Sequence, residues 1–140
     1  MRYLHFILSI LLGILALSGC GGEEEHDSFQ ESSEQEANIV FAEEFIMFLS
    51  EGQFDKATEY FDETMKEDLP AKELENVWSS LEKEFGPFQK QQYQKTEKVS
   101  DEYETVLLEG NFEKGNVIFQ VTLDQDERIA GFYILEPTEN

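Results

Sequence analysis

The chain has 140 residues and carries 10 Lys and Arg against 31 Asp and Glu, a formal net charge of -21. This length fits one domain of common size with short appendages and excludes two full domains. A protein this acidic would be repelled by nucleic acid phosphates, so we expect no nucleic acid partner. The 40% apolar content excludes a wholly disordered chain, and the single Cys excludes an internal disulfide and a Cys-rich zinc site.

The N-terminus has the pattern of a bacterial export signal. Arg2 supplies a positive start, and residues 4–17 are almost wholly apolar but shorter than the roughly 20 residues of a membrane-spanning helix. The sequence Leu-Ser-Gly-Cys at residues 17–20 resembles the lipobox of bacterial lipoproteins, which implies cleavage between Gly19 and Cys20 and a diacylglyceryl group on Cys20. We therefore expect a lipid-anchored protein on the extracytoplasmic face of the cell membrane. The alternatives are an ordinary secretory signal with an incidental Cys and an uncleaved anchor.

The chain divides into a signal peptide over residues 1–19, an acidic segment over 20–37 that begins with the lipidated Cys, and a folded domain over 38–140. The acidic segment holds seven Asp and Glu, no Lys or Arg, and one large apolar residue, Phe29. Such a composition buries too little surface to offset the entropy of ordering, which predicts a disordered tether. Metal chelation by residues 23–25 with His26 is the alternative.

Helical spacing of apolar residues fills the first half of the domain. A first helix carries Phe41, Phe45, Phe48 and Leu49 and ends at Gly52, a favourable C-cap residue. A second begins at Phe54 and runs out over residues 62–68. A third begins at Leu69-Pro70 and ends at Gly86-Pro87.

After Pro87 the apolar period changes from helical to alternating, which predicts strands. Residues 117–123 alternate most clearly and form a hairpin with residues 103–112. Residues 129–135 are apolar in both alternating sets, which predicts a strand covered on both faces. Residues 88–99 are mostly polar and suit an exposed edge strand. The fold class is therefore α+β, with N-terminal helices packed on a curved antiparallel four-stranded sheet.

Several of these runs resemble a bacterial family of domains of unknown function, family 3887, within the NTF2-like superfamily. The resemblance is carried by Phe54-Asp55, Leu69-Pro70, the Phe-Gly-Pro-Phe sequence at residues 85–88 and the run at residues 129–134, and it covers nearly all of residues 38–137. It implies an NTF2-like (cystatin-like) cone between helices and sheet. Members of the family occur as stand-alone exported proteins and beside α/β-hydrolase domains, which implies an accessory role.

The chemistry available to the domain is narrow, because both His residues, His5 and His26, precede it. This removes an imidazole base, Ser-His and Cys-His nucleophiles, and His-ligated metals. We therefore expect a non-catalytic binding or protein-interaction module with no cofactor and no metal. The alternative is a small-ligand carrier, or a weak enzyme that uses carboxylates and Tyr in the cone cavity.

Two candidate sites follow from this interpretation. A cavity for a small apolar molecule or peptide would be lined by aromatic side chains: Phe45, Tyr60, Trp78, Phe119 and Tyr133. The apolar neighbours of Trp78 along its helix also allow a simple core position. An interaction surface on the outer sheet face, for a homodimer or an envelope protein, would use four side chains: Val106, Leu108, Phe132 and Ile134.

Overall fold

A computed structural model of the protein describes residues 24–137, with side chains described from residue 32 onward. The predicted signal peptide, Gly19 and Cys20 lie outside the described residues. The chain divides into two compact units, Met1–Ser32 and Ser33–Asn140. The architecture below concerns the second unit, apart from the start of the first helix.

Helix α1 spans Glu24–Ser50, so the prediction of a disordered tether is wrong from residue 24 onward. The segment lacks Gly and Pro after Gly22 and is rich in Glu, Gln and Ala, all of which are good helix formers. Its acids also fall toward the helix N-terminus, where the macrodipole favours negative charge. The predicted domain boundary at residue 38 therefore falls inside α1.

The C-terminal half of α1 provides the first buried stripe of the fold. Ala42, Phe45, Ile46 and Leu49 are fully or almost fully buried and recur at three- and four-residue steps. The helix stops where Gly52 adopts a φ of 74°, which a residue with a Cβ rarely adopts. The Gln53 N–H donates to the carbonyl of Phe48 at 2.8 Å, which closes the last turn.

The sequence predicts a single second helix, but the structure contains two short ones, α2 (Phe54–Glu59) and α3 (Glu63–Asp68). The carboxylate of Asp62 accepts a hydrogen bond from the Met65 N–H at 2.8 Å and so caps the start of α3. Between the helices, Phe61 is buried and forms a parallel bridge with Ile129. The break thus lets one aromatic residue reach the core.

Helix α4 spans Ala71–Phe85, as the apolar spacing predicts. Leu74, Trp78 and Leu81 form its buried stripe. Gly86, with a φ of 79°, ends the helix. A Cβ added there would lie only 3.0 Å from the Cβ of Glu113, so the site favours Gly for space as well as for backbone conformation.

The second half of the chain forms one antiparallel sheet whose strands follow chain order, β1-β2-β3-β4. The strands are β1 (Phe88–Lys98), β2 (Tyr103–Phe112), β3 (Gly115–Asp124) and β4 (Ile129–Leu135). This confirms the predicted α+β class with four antiparallel strands. The sheet is open, so β1 and β4 are its two edges.

The register of the strands fixes which side chains share a face. Leu108 pairs with Phe119 and Phe119 with Ile134, while Val106 pairs with Val121 and Val121 with Phe132. Since side chains alternate along a strand and paired residues point the same way, these six residues lie on one face, which we call the inner face. The fully buried members among them and the buried helix stripes form one hydrophobic core.

Candidate interaction surface

Three residues of the predicted cavity lie together in the core and fill the space between helices and sheet. Phe45, Trp78 and Phe119 are all almost completely buried. The rings of Trp78 and Phe119 stack at 5.9 Å between centroids, and Phe132 joins Phe45 to Phe119 through contacts of 5.0 and 6.1 Å. These are packing distances for aromatic pairs, so Trp78 belongs to the core and does not form the wall of a pocket.

Tyr60 lies away from that cluster, between α1 and α2. Its ring contacts Phe41 and Phe48, and its hydroxyl donates to a carboxylate oxygen of Glu44 at 2.9 Å. Burial raises the pKa of Tyr60 above its ordinary value of 10.0, and the hydrogen bond to Glu44 and the negative charge of that carboxylate raise it further. A phenol held protonated in this way is a poor general base, so the pair serves to fasten α2 to α1.

The prediction that Tyr133 lines a cavity is wrong. The side chain of Tyr133 is 61% exposed. Tyr133 pairs with Gln120, whose side chain lies on the face opposite the core. Because the side chains of Phe132 and Ile134 point inward, the residue between them must point outward. The sequence misled here because both alternating sets of β4 are apolar.

The four predicted interface residues lie on the inner face, so that prediction is wrong in its residues. Val106 and Leu108 are fully buried in the core. Phe132 and Ile134 are partly buried and pack against it. Both alternating sets of side chains in β4 are apolar, so alternation alone does not show which set points inward. Phe132 and Ile134 point inward because they pair with the buried Val121 and Phe119.

The opposite side of the sheet, which we call the outer face, carries the alternate set of side chains. Its apolar and aromatic members are Tyr103, Leu107, Ile118, Tyr133 and Leu135, of which the last two are 61% and 43% exposed. None of these five residues is among those that pack against the hydrophobic core. Residues 107, 118 and 135 lie on the same face as Tyr133. The sequence does not show this, because it depends on the pairing of the strands.

Polar side chains on the outer face bond to one another across strands. Thr105 and Thr122 share a hydrogen bond of 2.8 Å between their hydroxyls. The carboxylate of Glu109 accepts from Gln94 at 3.1 Å and from Asn116 at 2.8 Å. Such cross-strand pairs stabilise the register of the strands. They also place polar side chains next to the apolar ones on this face.

A shallow open groove of about 350 Å³ lies between α4 and the edge strand β4. Its apolar lining is Val77, Leu81 and Ile134, and polar or charged side chains complete it: Asn76, Ser80 and Glu84. Val77 is 36% exposed and forms part of the apolar surface of the groove. The groove could not be predicted from the sequence, because it depends on the position of α4 relative to β4.

Among the side chains of residues 32–137, no three His, Cys, Asp or Glu come together in a group able to hold a metal ion. From residue 24 to residue 137, no helix combines the length and the apolar character needed to cross a bilayer.

Comparison with known proteins gives a family and one distant relative. Residues 42–132, more than half of the chain, match the family described as "Protein of unknown function (DUF3887)". The esterase EstD of Thermotoga maritima is 26% identical over 96 residues, which are 68% of this chain but 23% of the esterase. The chain therefore spans less than a quarter of the length of that relative. No solved structure matches the chain.

Proposed function

This chain belongs to the DUF3887 family of proteins of unknown function, and we propose that it is a lipid-anchored extracytoplasmic lipoprotein whose domain is a non-catalytic protein-interaction module. The observation that carries the proposal is the filled interior, in which Phe45, Trp78 and Phe119 occupy the space that a ligand would need. Binding is then left to the surface. The outer face offers exposed apolar side chains there, with Tyr133 the most exposed.

We also propose that the fold is NTF2-like. This proposal is supported by helices that precede a four-stranded antiparallel sheet and by their position on one face of it. An experimental structure of the full chain tests it. A superposition in which the helices cover the opposite sheet face from that of NTF2-like domains would contradict it.

Lipid anchoring is supported by the lipobox-like sequence that ends at Cys20. We expect the wild-type chain to incorporate radiolabelled palmitate in a bacterial host and to sediment with membranes. The variant Cys20→Ser should lose both properties. As a matched control, Cys20→Ser combined with Ser32→Cys keeps one thiol in the chain and should stay unlabelled. Labelling of that control would contradict anchoring through position 20.

The interaction role can be tested by a photo-crosslinking amino acid placed at single positions in intact cells. Positions 107 and 118 on the outer face should give a protein adduct, whereas position 82, on an exposed part of α4, should not. Equal adducts at all three positions, or none at 107 and 118, would contradict binding through the outer face. Native mass spectrometry of the full chain provides a second check, since a retained small molecule would favour a carrier.

We propose no catalytic role for the domain. An enzyme of the alternative type would need a Tyr beside a carboxylate, and Tyr60 and Glu44 form such a pair. The pKa of Tyr60 is raised, which keeps the phenol protonated. The similarity to the esterase covers too small a share of that enzyme for its activity to be proposed here. Hydrolysis of a p-nitrophenyl ester by the full chain, lost in Tyr60→Phe, would overturn this position.

A further inference from the structure

The two edges of the sheet differ in how they resist pairing with another strand. β1 carries Lys90, Lys95 and Lys98, and its pairing with β2 is interrupted by two register shifts. Lysines and bulges are the usual protection of an edge strand. β4 has the sequence Ile-Ala-Gly-Phe-Tyr-Ile-Leu, with no charge and no Pro. The pairing of β4 with β3 has one register shift, near the start of β4. The rest of β4, from Phe132 to Leu135, has neither a Lys nor a shift and is therefore less protected than β1.

The hydrogen bonds at the start of β4 show which backbone groups face that edge. The Asp124 N–H donates to the Arg128 carbonyl at 2.9 Å, so residue 124 faces β4. Alternation along β3 then makes Thr122, Gln120 and Ile118 face β4 as well, and their partners on β4, residues 131, 133 and 135, face back. The N–H and C=O groups of Phe132 and Ile134 therefore point away from the sheet.

One part of this edge is already covered. The Ile129 N–H donates to the Tyr60 carbonyl at 2.7 Å, and its carbonyl accepts from the Asp62 N–H at 3.0 Å. The edge accepts backbone hydrogen bonds at that point, in the form of a short parallel bridge. Within residues 24–137, no segment does the same for Phe132 and Ile134.

The groove beside α4 is lined by the second of these two residues, Ile134. A strand added along β4 would place every second side chain on the inner side, over the apolar lining of Val77, Leu81 and Ile134. Glu84 lines the groove and Glu136 directly follows β4, and both are exposed. At the start of β4 the cation Arg128 is paired with Asp124 and Asp126, so acids outnumber bases there as well.

We propose that β4 binds an extended segment of another protein by strand addition, and that the segment is apolar in its centre and flanked by Lys or Arg. The inference rests on the proposed interaction role and names the binding mode and the chemistry of the partner. Charge complementarity favours a basic partner over a second copy of this chain. Two copies would each bring a formal net charge of -21, and this repulsion opposes their association.

The test uses the full chain in neutral detergent and fluorescence anisotropy of a labelled synthetic peptide with alternating Val and Thr between Lys pairs. We expect saturable binding that weakens as salt is raised. A matched peptide with Glu pairs should bind at least about tenfold more weakly. Two further peptides carry N-methyl groups on one or the other alternating set of amides. Only one of the two should lose binding, because only one set faces β4.

Single variants locate the site. Val77→Gln should weaken binding of the Lys-flanked peptide about tenfold, the effect expected when one buried aliphatic contact is removed. Val99→Gln, at the far end of β1 and 64% exposed, is the matched control and should change nothing. Glu84→Gln should weaken binding by a smaller factor, while Glu82→Gln on the other side of α4 should not.

Several results would overturn the inference: no binding of the Lys-flanked peptide, equal binding of the two N-methylated peptides, or equal effects of Val77→Gln and Val99→Gln. A dimer by sedimentation that fails to bind peptide would show that a second copy occupies β4. If the peptide does not bind while crosslinks at positions 107 and 118 persist, the strand-addition inference fails and the proposed function stands.

Discussion

The two faces of the sheet are built from alternate residues of the same strands, yet they have opposite surroundings. On the inner face the ring of Phe119 lies between Trp78 and Phe132 and covers Gly110. On the outer face Tyr133 is 61% exposed, although its two neighbours along β4 pack against the core. Hydrophobicity alone therefore does not decide which face is covered. The residue that pairs with it on the adjacent strand decides which face a side chain occupies.

The largest expected effect separates a core aromatic residue from an edge one. Trp78→Ala should lower the free energy of unfolding by about 3–5 kcal/mol, because the indole is almost fully buried among Phe88, Phe112 and Phe119. Urea unfolding followed by circular dichroism measures the change. The control Tyr93→Ala, an exposed aromatic on β1, should stay within about 0.5 kcal/mol. A small loss for Trp78→Ala would show that the interior is not packed around it.

A pair of glycines tests the same contrast by adding one methyl group to each face. Gly110→Ala places a Cβ in overlap with the ring of Phe119, so the ring or the strand must move, at a cost of about 1–3 kcal/mol. Gly131→Ala places its Cβ 3.5 Å from Thr122 on the outer side, which is an ordinary contact. We expect its unfolding free energy to stay within about 0.5 kcal/mol of wild type. Equal effects of the two variants would contradict the assignment of the faces.

How far the sequence predicts this structure depends on the range of the interaction involved. Local signals placed α4 and all four strands, because apolar spacing and residues such as Gly52 and Gly86 act within a few residues. The break between α2 and α3 was missed, since Phe61 leaves the helix to pair with the distant Ile129. The faces of β4 were misassigned for the same reason. Both alternating sets are apolar, and only the register with Val121 and Gln120 separates them.

A smaller effect is expected at the rim of the inner side, where Tyr60 fastens α2 to α1. Tyr60→Phe removes one hydrogen bond to Glu44 and should cost about 0.5–1.5 kcal/mol near neutral pH. The raised pKa of Tyr60 sets the pH dependence. The contribution is fully present below the unfolded pKa of 10.0 and is lost as pH rises through the higher folded value.

Unfolding of wild type and Tyr60→Phe measured at pH 7, 9 and about 10.5 checks this sign. The difference between the two proteins should be equal at the first two values and smaller at the third. Phe41→Leu, which keeps the hydroxyl and changes a ring that packs on Tyr60, serves as a control for packing and should show no such loss above pH 10. A difference that grows with pH would contradict the direction of the pKa shift.

The smallest expected effect lies on the outer face itself. Tyr133→Thr keeps a residue that favours strands and removes an exposed ring, so the free energy of unfolding should change by no more than about 0.5 kcal/mol. Ile134→Thr, one residue along, removes apolar atoms that pack against the core and should cost clearly more. If Tyr133→Thr instead destabilised the full chain by more than Ile134→Thr, the outer face would have to be covered in solution. Because a partner that binds only the folded state adds stability in proportion to its concentration, repeating the unfolding over a tenfold range of protein concentration would reveal whether that cover is a second copy.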